Sequence, residues 1–225
     1  KADATSAMRL AQAFLRTNLE EQHPLRMRRI AELPLLFAGE RDELRYAAAA
    51  AQSTDYCFPN RHEEYAVLKH AAARCPALAN TWYYLGDVEW NWDLKEAALA
   101  SWKQAVALNP KHALALRNIG FALAHPGTTF TNTGAPAGVP SREAYGYYTR
   151  ALAADPGNFR ALEEMDKLAE KLGVGTAERL AAMTAYRATA EKYDACILRV
   201  AYLFNEAGNY DESLKEPTVL PAVFP

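Results

Sequence analysis

Three cysteines, Cys57, Cys75 and Cys196, are an odd number with no C-x2-C spacing, so neither a disulfide framework nor a zinc site is expected. They read as reduced thiols, which favours a cytoplasmic location without fixing it. Cys57 and Cys75 would meet only if the loop between them folded back. No apolar run approaches the 18 or so residues needed to span a bilayer, and the alanine tract at 47–51 is brief. Charge of one sign is also lacking. The formal net charge is -2, and the densest basic cluster, Arg26, Arg28 and Arg29, is interleaved with Leu25, Met27 and Ile30 as on a solvated helix face, so nucleic acid is not an expected partner.

Catalytic signatures are missing as well: there is no H-E-x-x-H, G-x-S-x-G or phosphate-cradling glycine loop, and Gly173-Val174-Gly175 follows a helical stretch rather than a strand. Glu63-Glu64 and Glu163-Glu164 are sequence neighbours that point to different helix faces, which suits surface charges better than a shared acid–base site. His62 and His70 lie two helical turns apart, and His112 and His125 fall at opposite ends of one helix, so neither pair has ligand spacing. No metal, cofactor or catalytic residue is expected in this chain.

What is present is a repeat. Half the residues are apolar and 23% charged, the profile of a soluble globular protein. Trp82, Leu85 and Gly86, followed by Ala98, Trp102 and Pro110, reproduce the spacing W-x2-L-G…A-x3-F…P of a tetratricopeptide repeat, with Glu89 where a tyrosine is usual. Counting 34 residues forward reaches Leu116, Ile119 and Gly120, and counting 34 back from Pro110 reaches Pro76. The expected fold is all-α, a right-handed α-solenoid of tetratricopeptide-type helix pairs, in which small residues allow close approach and large ones fill the gaps.

The apolar pattern gives helices over 3–21, 25–37 and 43–52, so residues 1–54 read as N-terminal helices of degenerate repeats. Residues 55–214 hold the clearer repeats. Asn60 with Glu63, and Asp93 with Glu96, have the form of capping boxes opening helices at 60 and 94, and 80–91, 94–108 and 113–124 follow as helices. Ala144, Tyr148 and Pro156 then fall 46 residues after their counterparts, so twelve residues are inserted within 125–141, a Gly-, Pro- and Thr-rich loop that is either a partner contact or a tolerated excursion. Helices over 158–172 and 176–191 come next, then the start of one more repeat at Ile197, Val200, Ala201 and Phe204, whose second helix is cut short. Pro217, Pro221 and Pro225 make 215–225 an extended apolar tail, suited to covering the last helix pair. The chain opens on Lys1 rather than Met and so reads as a processed or excised piece.

In such a solenoid the first helices line the inner wall. Subtracting the packing residues leaves Tyr83, Asp87, Trp90 and Asn91 on one first helix and Arg117, Phe121 and His125 on the next as candidates to face a binding groove. Aromatic rings beside a guanidinium are the composition of protein-binding hot spots and also of platforms that stack on sugars. Trp90 and Phe121 fit equally well as fillers between repeats.

Asp55-Tyr56-Cys57-Phe58-Pro59-Asn60-Arg61, Glu63-Glu64 and Ala66-Val67-Leu68 resemble a bacterial family in which tetratricopeptide repeats follow a β-sandwich similar to galactose mutarotase. Trp82-Tyr83-Tyr84-Leu85-Gly86, Ala177-Glu178-Arg179-Leu180 and Gly208-Asn209-Tyr210-Asp211-Glu212 resemble further stretches of it, in order, although the family's loop at 125–141 is shorter and its continuation after Glu212 differs. The resemblance implies the helical accessory region of a carbohydrate-active or glycan-binding protein whose catalytic domain lies elsewhere. The repeat by itself implies a non-catalytic scaffold that binds a protein segment or a neighbouring domain on its concave face. Tyr83 and Asp87 stand where chaperone-tail clamps carry lysine and asparagine, which argues against that ligand. The expected partners are thus a polypeptide segment, a β-sandwich neighbour included, or an oligosaccharide.

Overall fold

The computed structural model describes Pro59 and residues 62–126 and 141–213. The expectations for 1–54, for Cys57, for the Asn60 cap, for the bulk of the inserted loop and for the tail fall outside these residues. All regular structure among the described residues is helical, and the chain divides into two compact units, Lys1–Pro110 and Lys111–Pro225.

In the first unit, α1 (His62–Arg74), α2 (Ala79–Asn91) and α3 (Lys95–Leu108) follow one another, with α2 packed on both neighbours. Pro76 ends α1, because a proline lacks the donor and pushes the preceding residue out of the helical region. Gly86 on α2 lets α3 approach: a Cβ there would lie 2.5 Å from the Trp102 ring, which is itself 2% exposed. Leu68, Val88, Ala98 and Ala105 complete a core of small and large residues.

The Asp93 capping box is not what forms. Leu94 occupies the N-cap of α3 with no side-chain cap, and Asp93 instead closes α2 at φ 63. Its N–H donates to Trp90 O at 3.1 Å and the Leu94 N–H to Glu89 O at 2.8 Å, the paired bonds of a Schellman motif. The same motif ends two later helices with Gly173 at φ 72 and Gly208 at φ 77, so Asp93 holds a position that glycine adopts without steric cost. The half-buried Lys95 ammonium 3.3 Å from the exposed Asp93 carboxylate makes a surface pairing of little worth. Asp93→Gly is therefore expected to stabilise the protein by about 0.5–1 kcal/mol, read as a raised urea midpoint.

In the second unit, α4 (Ala113–Ala124) packs on α5 (Glu143–Ala154), α5 on α6 (Phe159–Lys171), and α6 on both α7 (Thr176–Ala185) and α9 (Asp194–Glu206); the short α8 (Arg187–Ala190) and α10 (Tyr210–Ser213) complete it. Gly120 meets Tyr148 as Gly86 meets Trp102, with a Cβ at 3.2 Å from a ring that is fully buried. The two partners stand 16 residues apart in the first pair and 28 in the second, so the twelve-residue insertion leaves the helix contact intact. Gly86→Ala should cost about 1–3 kcal/mol, and more than Gly120→Ala, because the tighter approach forces a buried indole to move. Equal losses in urea unfolding would contradict that ranking.

His112 and Asn158 cap α4 and α6, accepting from the Ala115 N–H at 3.3 Å and the Ala161 N–H at 3.1 Å. The single helix expected over 176–191 is broken at Tyr186 (φ -112, ψ 32), where α7 ends and α8 begins. Two ties account for the bend. The Thr184 hydroxyl reaches back to Leu180 O at 2.8 Å, a bond that bends helices, and the Thr189 hydroxyl is held by Pro156 O at 2.6 Å.

Candidate functional site

The candidates on α2 prove to belong largely to the packing of the first unit. Tyr83 is 4% exposed, its ring 5.2 Å from that of the equally buried Tyr84 between centroids. Asp87 accepts from the Trp102 Nε1–H at 3.0 Å, so it serves the α2–α3 contact. The half-buried Trp90 ring sits 5.5 Å from Trp102, with the Lys95 ammonium 3.9 Å from its centroid. Asn91 is the one exposed residue of the four. Glu89, at the position usual for tyrosine, is buried and accepts from the Ser101 hydroxyl at 2.6 Å. Burial pushes its carboxyl above the usual range, against the opposing effects of Ser101 and Lys69.

In the second unit Arg117, Phe121 and His125 come together. Arg117 Nε donates to Glu164 Oε2 at 2.8 Å, its Nη2 pairs with Glu164 Oε1, and its guanidinium lies 5.2 Å from the Phe121 ring. His125 stacks on Phe121 at 4.4 Å, with Nδ1 3.0 Å from Phe121 O. All three are half-buried. The counter-ion Glu164, by sequence an ordinary surface charge, ties α4 to α6, while its neighbour Glu163 pairs with Lys167 at 2.5 Å.

The repeat register carries the positions of Arg117 and Phe121 further along the chain. The core trio Leu116, Ile119 and Gly120 recurs after 46 residues at Leu162, Met165 and Asp166, and after 35 more at Ile197, Val200 and Ala201. Leu162, Met165, Ile197 and Val200 are buried, which fixes the register. By the same steps Arg117 and Phe121 correspond to Glu163 and Lys167 on α6 and to Leu198 and Tyr202 on α9. Leu198 is 63% exposed and Tyr202 47%, with the Tyr202 hydroxyl donating to Glu206 Oε1 at 3.3 Å.

Asp166 therefore occupies the glycine position of its repeat. Its carboxylate is buried and takes Arg179 Nε at 2.9 Å and Nη2 at 3.2 Å, then Arg199 Nε at 2.5 Å. Glu170 and Glu206 complete the cluster around the two guanidiniums. Where the first two pairs bring glycine against an aromatic ring, this one joins α6, α7 and α9 through charge.

Among the described residues no group of His, Cys, Asp and Glu could hold a metal, and no helix is long and apolar enough to cross a membrane. No family model matches the chain, and no curated protein matches its sequence. Solved structures do. One crystal structure of MamA superposes with a TM-score of 0.52 at 16% identity, over 92% of this chain and 97% of that one. A second gives 0.51 at 18% identity, over 68% and 82%, and MamA 41-end from Desulfovibrio magneticus RS-1 gives 0.51 at 13%, over 87% and 92%. The fold is an all-α solenoid of tetratricopeptide-type helix pairs. Similarity at this level of identity concerns the fold.

Proposed function

We propose that this chain is a non-catalytic module that binds polypeptide through the first-helix faces of its repeats. One observation carries the reading. At the register positions that follow from Arg117 and Phe121, α9 exposes Leu198 and Tyr202 while the residues that hold the helix, Ile197, Val200 and Leu203, are buried. A fold that leaves large apolar groups in water at positions it does not need for packing has a surface suited to a partner.

Its partner is a segment of another protein or of a neighbouring domain in the same polypeptide, and a β-sandwich neighbour of the kind the family resemblance implies would be of the second type. The sugar-binding alternative has less to stand on, because Tyr83 lies in the core and the Trp90 ring is engaged with Trp102 and Lys95. Peptides selected from a random library against the whole chain should lose at least tenfold in affinity on Glu163→Arg or Tyr202→Ser, and keep it on Lys103→Glu, an exposed change on the second helix α3. Selected peptides indifferent to every first-helix change would sink the proposal.

A further inference from the structure

The face of α9 that carries Leu198 and Tyr202 has a charge pattern of its own. Asp194, Leu198, Tyr202 and Glu206 succeed one another at intervals of four, which places them along one stripe of the helix, apolar in the middle and acidic at both ends. All four are exposed. The stripe is about 18 Å long at 1.5 Å per residue.

The acidic end beside Glu206 is reinforced from α6. Glu170 and Glu206 are 40% and 38% exposed, and with the buried Asp166 they set three carboxylates against two guanidiniums, Arg179 and Arg199, leaving one negative charge in surplus. An apolar centre between Asp194 at one end and, at the other, the Glu206–Glu170 rim with its one surplus negative charge is the complement of an amphipathic helix whose apolar residues are flanked by lysine or arginine.

We infer that the Asp194–Leu198–Tyr202–Glu206 stripe docks a basic amphipathic segment of another polypeptide, with an apolar side chain seated between Leu198 and Tyr202 and basic residues at the two acidic ends. This rests on the protein-binding reading above and names its partner. Carboxylates at both ends repel anionic lipid headgroups and phosphates, which leaves a cationic peptide as the matching chemistry.

The test is a fluorescence-anisotropy titration of the whole chain with a labelled helix-forming peptide of about 16 residues, long enough to run the length of the stripe. The peptide carries two leucines four apart and lysines at each end, and a control carries glutamates in place of the lysines. The lysine peptide should bind at least tenfold tighter than the control, and the preference should shrink in high salt. Glu206→Lys and Leu198→Asp should each lower its affinity at least tenfold with unchanged helical circular dichroism. Leu198→Ala, milder on an exposed site, should lower it several-fold.

Equal binding of the two peptides, or indifference to Leu198→Asp, overturns the inference. So does self-association that Leu198→Asp abolishes, which would give the face to a second copy, or lysine-peptide binding that appears only after removal of residues 215–225, which would give it to the chain's own tail. Library-selected peptides that respond to Glu163→Arg while nothing responds to Leu198→Asp would remove this inference and leave the broader reading standing. A chain that selects no polypeptide at all removes both.

Discussion

Replacing Asp166 with alanine is expected to lower the unfolding free energy by about 3–5 kcal/mol, as removing one partner from a buried ion pair does. The loss is large because of what remains. Arg179 is 4% exposed, and without Asp166 its charge faces only the outer carboxylates of Glu170 at 3.4 Å and Glu206 at 3.7 Å. A desolvated guanidinium without its bidentate partner cannot neutralise itself by losing a proton, since its pKa lies too high. Three helices meet at this carboxylate, so α7 and α9 should loosen together. Combining Asp166→Leu with Arg179→Met removes both buried charges and should cost less than the two single changes added, by about 1–3 kcal/mol. Urea unfolding of the four proteins measures this coupling. A single-variant loss under about 1 kcal/mol would show that solvent reaches the cluster and that its members act as exposed pairs.

Acidification should weaken the protein through His112, and the sign follows from its surroundings. Burial pushes its pKa from the usual 6.5 down to about 4, against the smaller opposing effect of a backbone hydrogen bond. Its Nδ1 accepts the Ala115 N–H and must be unprotonated to do so. Between pH 6.5 and 4 the unfolded chain binds the proton that the folded chain refuses, so this contribution is complete above pH 6.5 and is lost progressively below it. At pH 5 the loss is about 2 kcal/mol, from 1.36 kcal/mol per unit of pKa.

Asparagine caps α6 in the same way, so His112→Asn keeps an acceptor at the head of α4 while removing the titration. Denaturant midpoints at pH 7.5 and pH 5 should fall for the natural protein and move much less for the variant. Glu89 acts in the opposite direction, because its raised pKa means that protonation relieves a burial cost as the pH falls, which is why the comparison is made between variants. Identical acid sensitivity in both proteins would remove His112 as the cause.

The helical framework was legible in the sequence because its signals are local and repeated. Gly86 and Trp102 set a spacing that Gly120 and Tyr148 repeat across an insertion, and α4 runs over 113–124 as the apolar pattern indicates. Helix ends were less legible. Asp93 has the composition of an N-cap, yet the Schellman bonds at the end of α2 claim its backbone first. The expected helix over 176–191 breaks because Thr184 and Thr189 find acceptors that no periodicity reveals.

The candidate site was legible only in part. Arg117, Phe121 and His125 do gather on one face, but spacing could not show that Tyr83 would be covered or that Asp87 would turn to Trp102. Leu198 and Tyr202 were within reach of the same arithmetic, carried two repeats further. Asp166 was within reach too, as the residue at the glycine position, but a charged residue in a helix reads as solvated until its partners are known.

By itself the sequence determined that the described residues form an all-α repeat and which small residues admit which rings, because helix periodicity and side-chain volume are properties of the chain. Only the tertiary structure decided which charges are buried and which apolar groups stay in water. Asp166 and Arg179 lie 13 residues apart, and Arg199 a further 20 along, and nothing short of packed helices brings their charges within hydrogen-bonding distance.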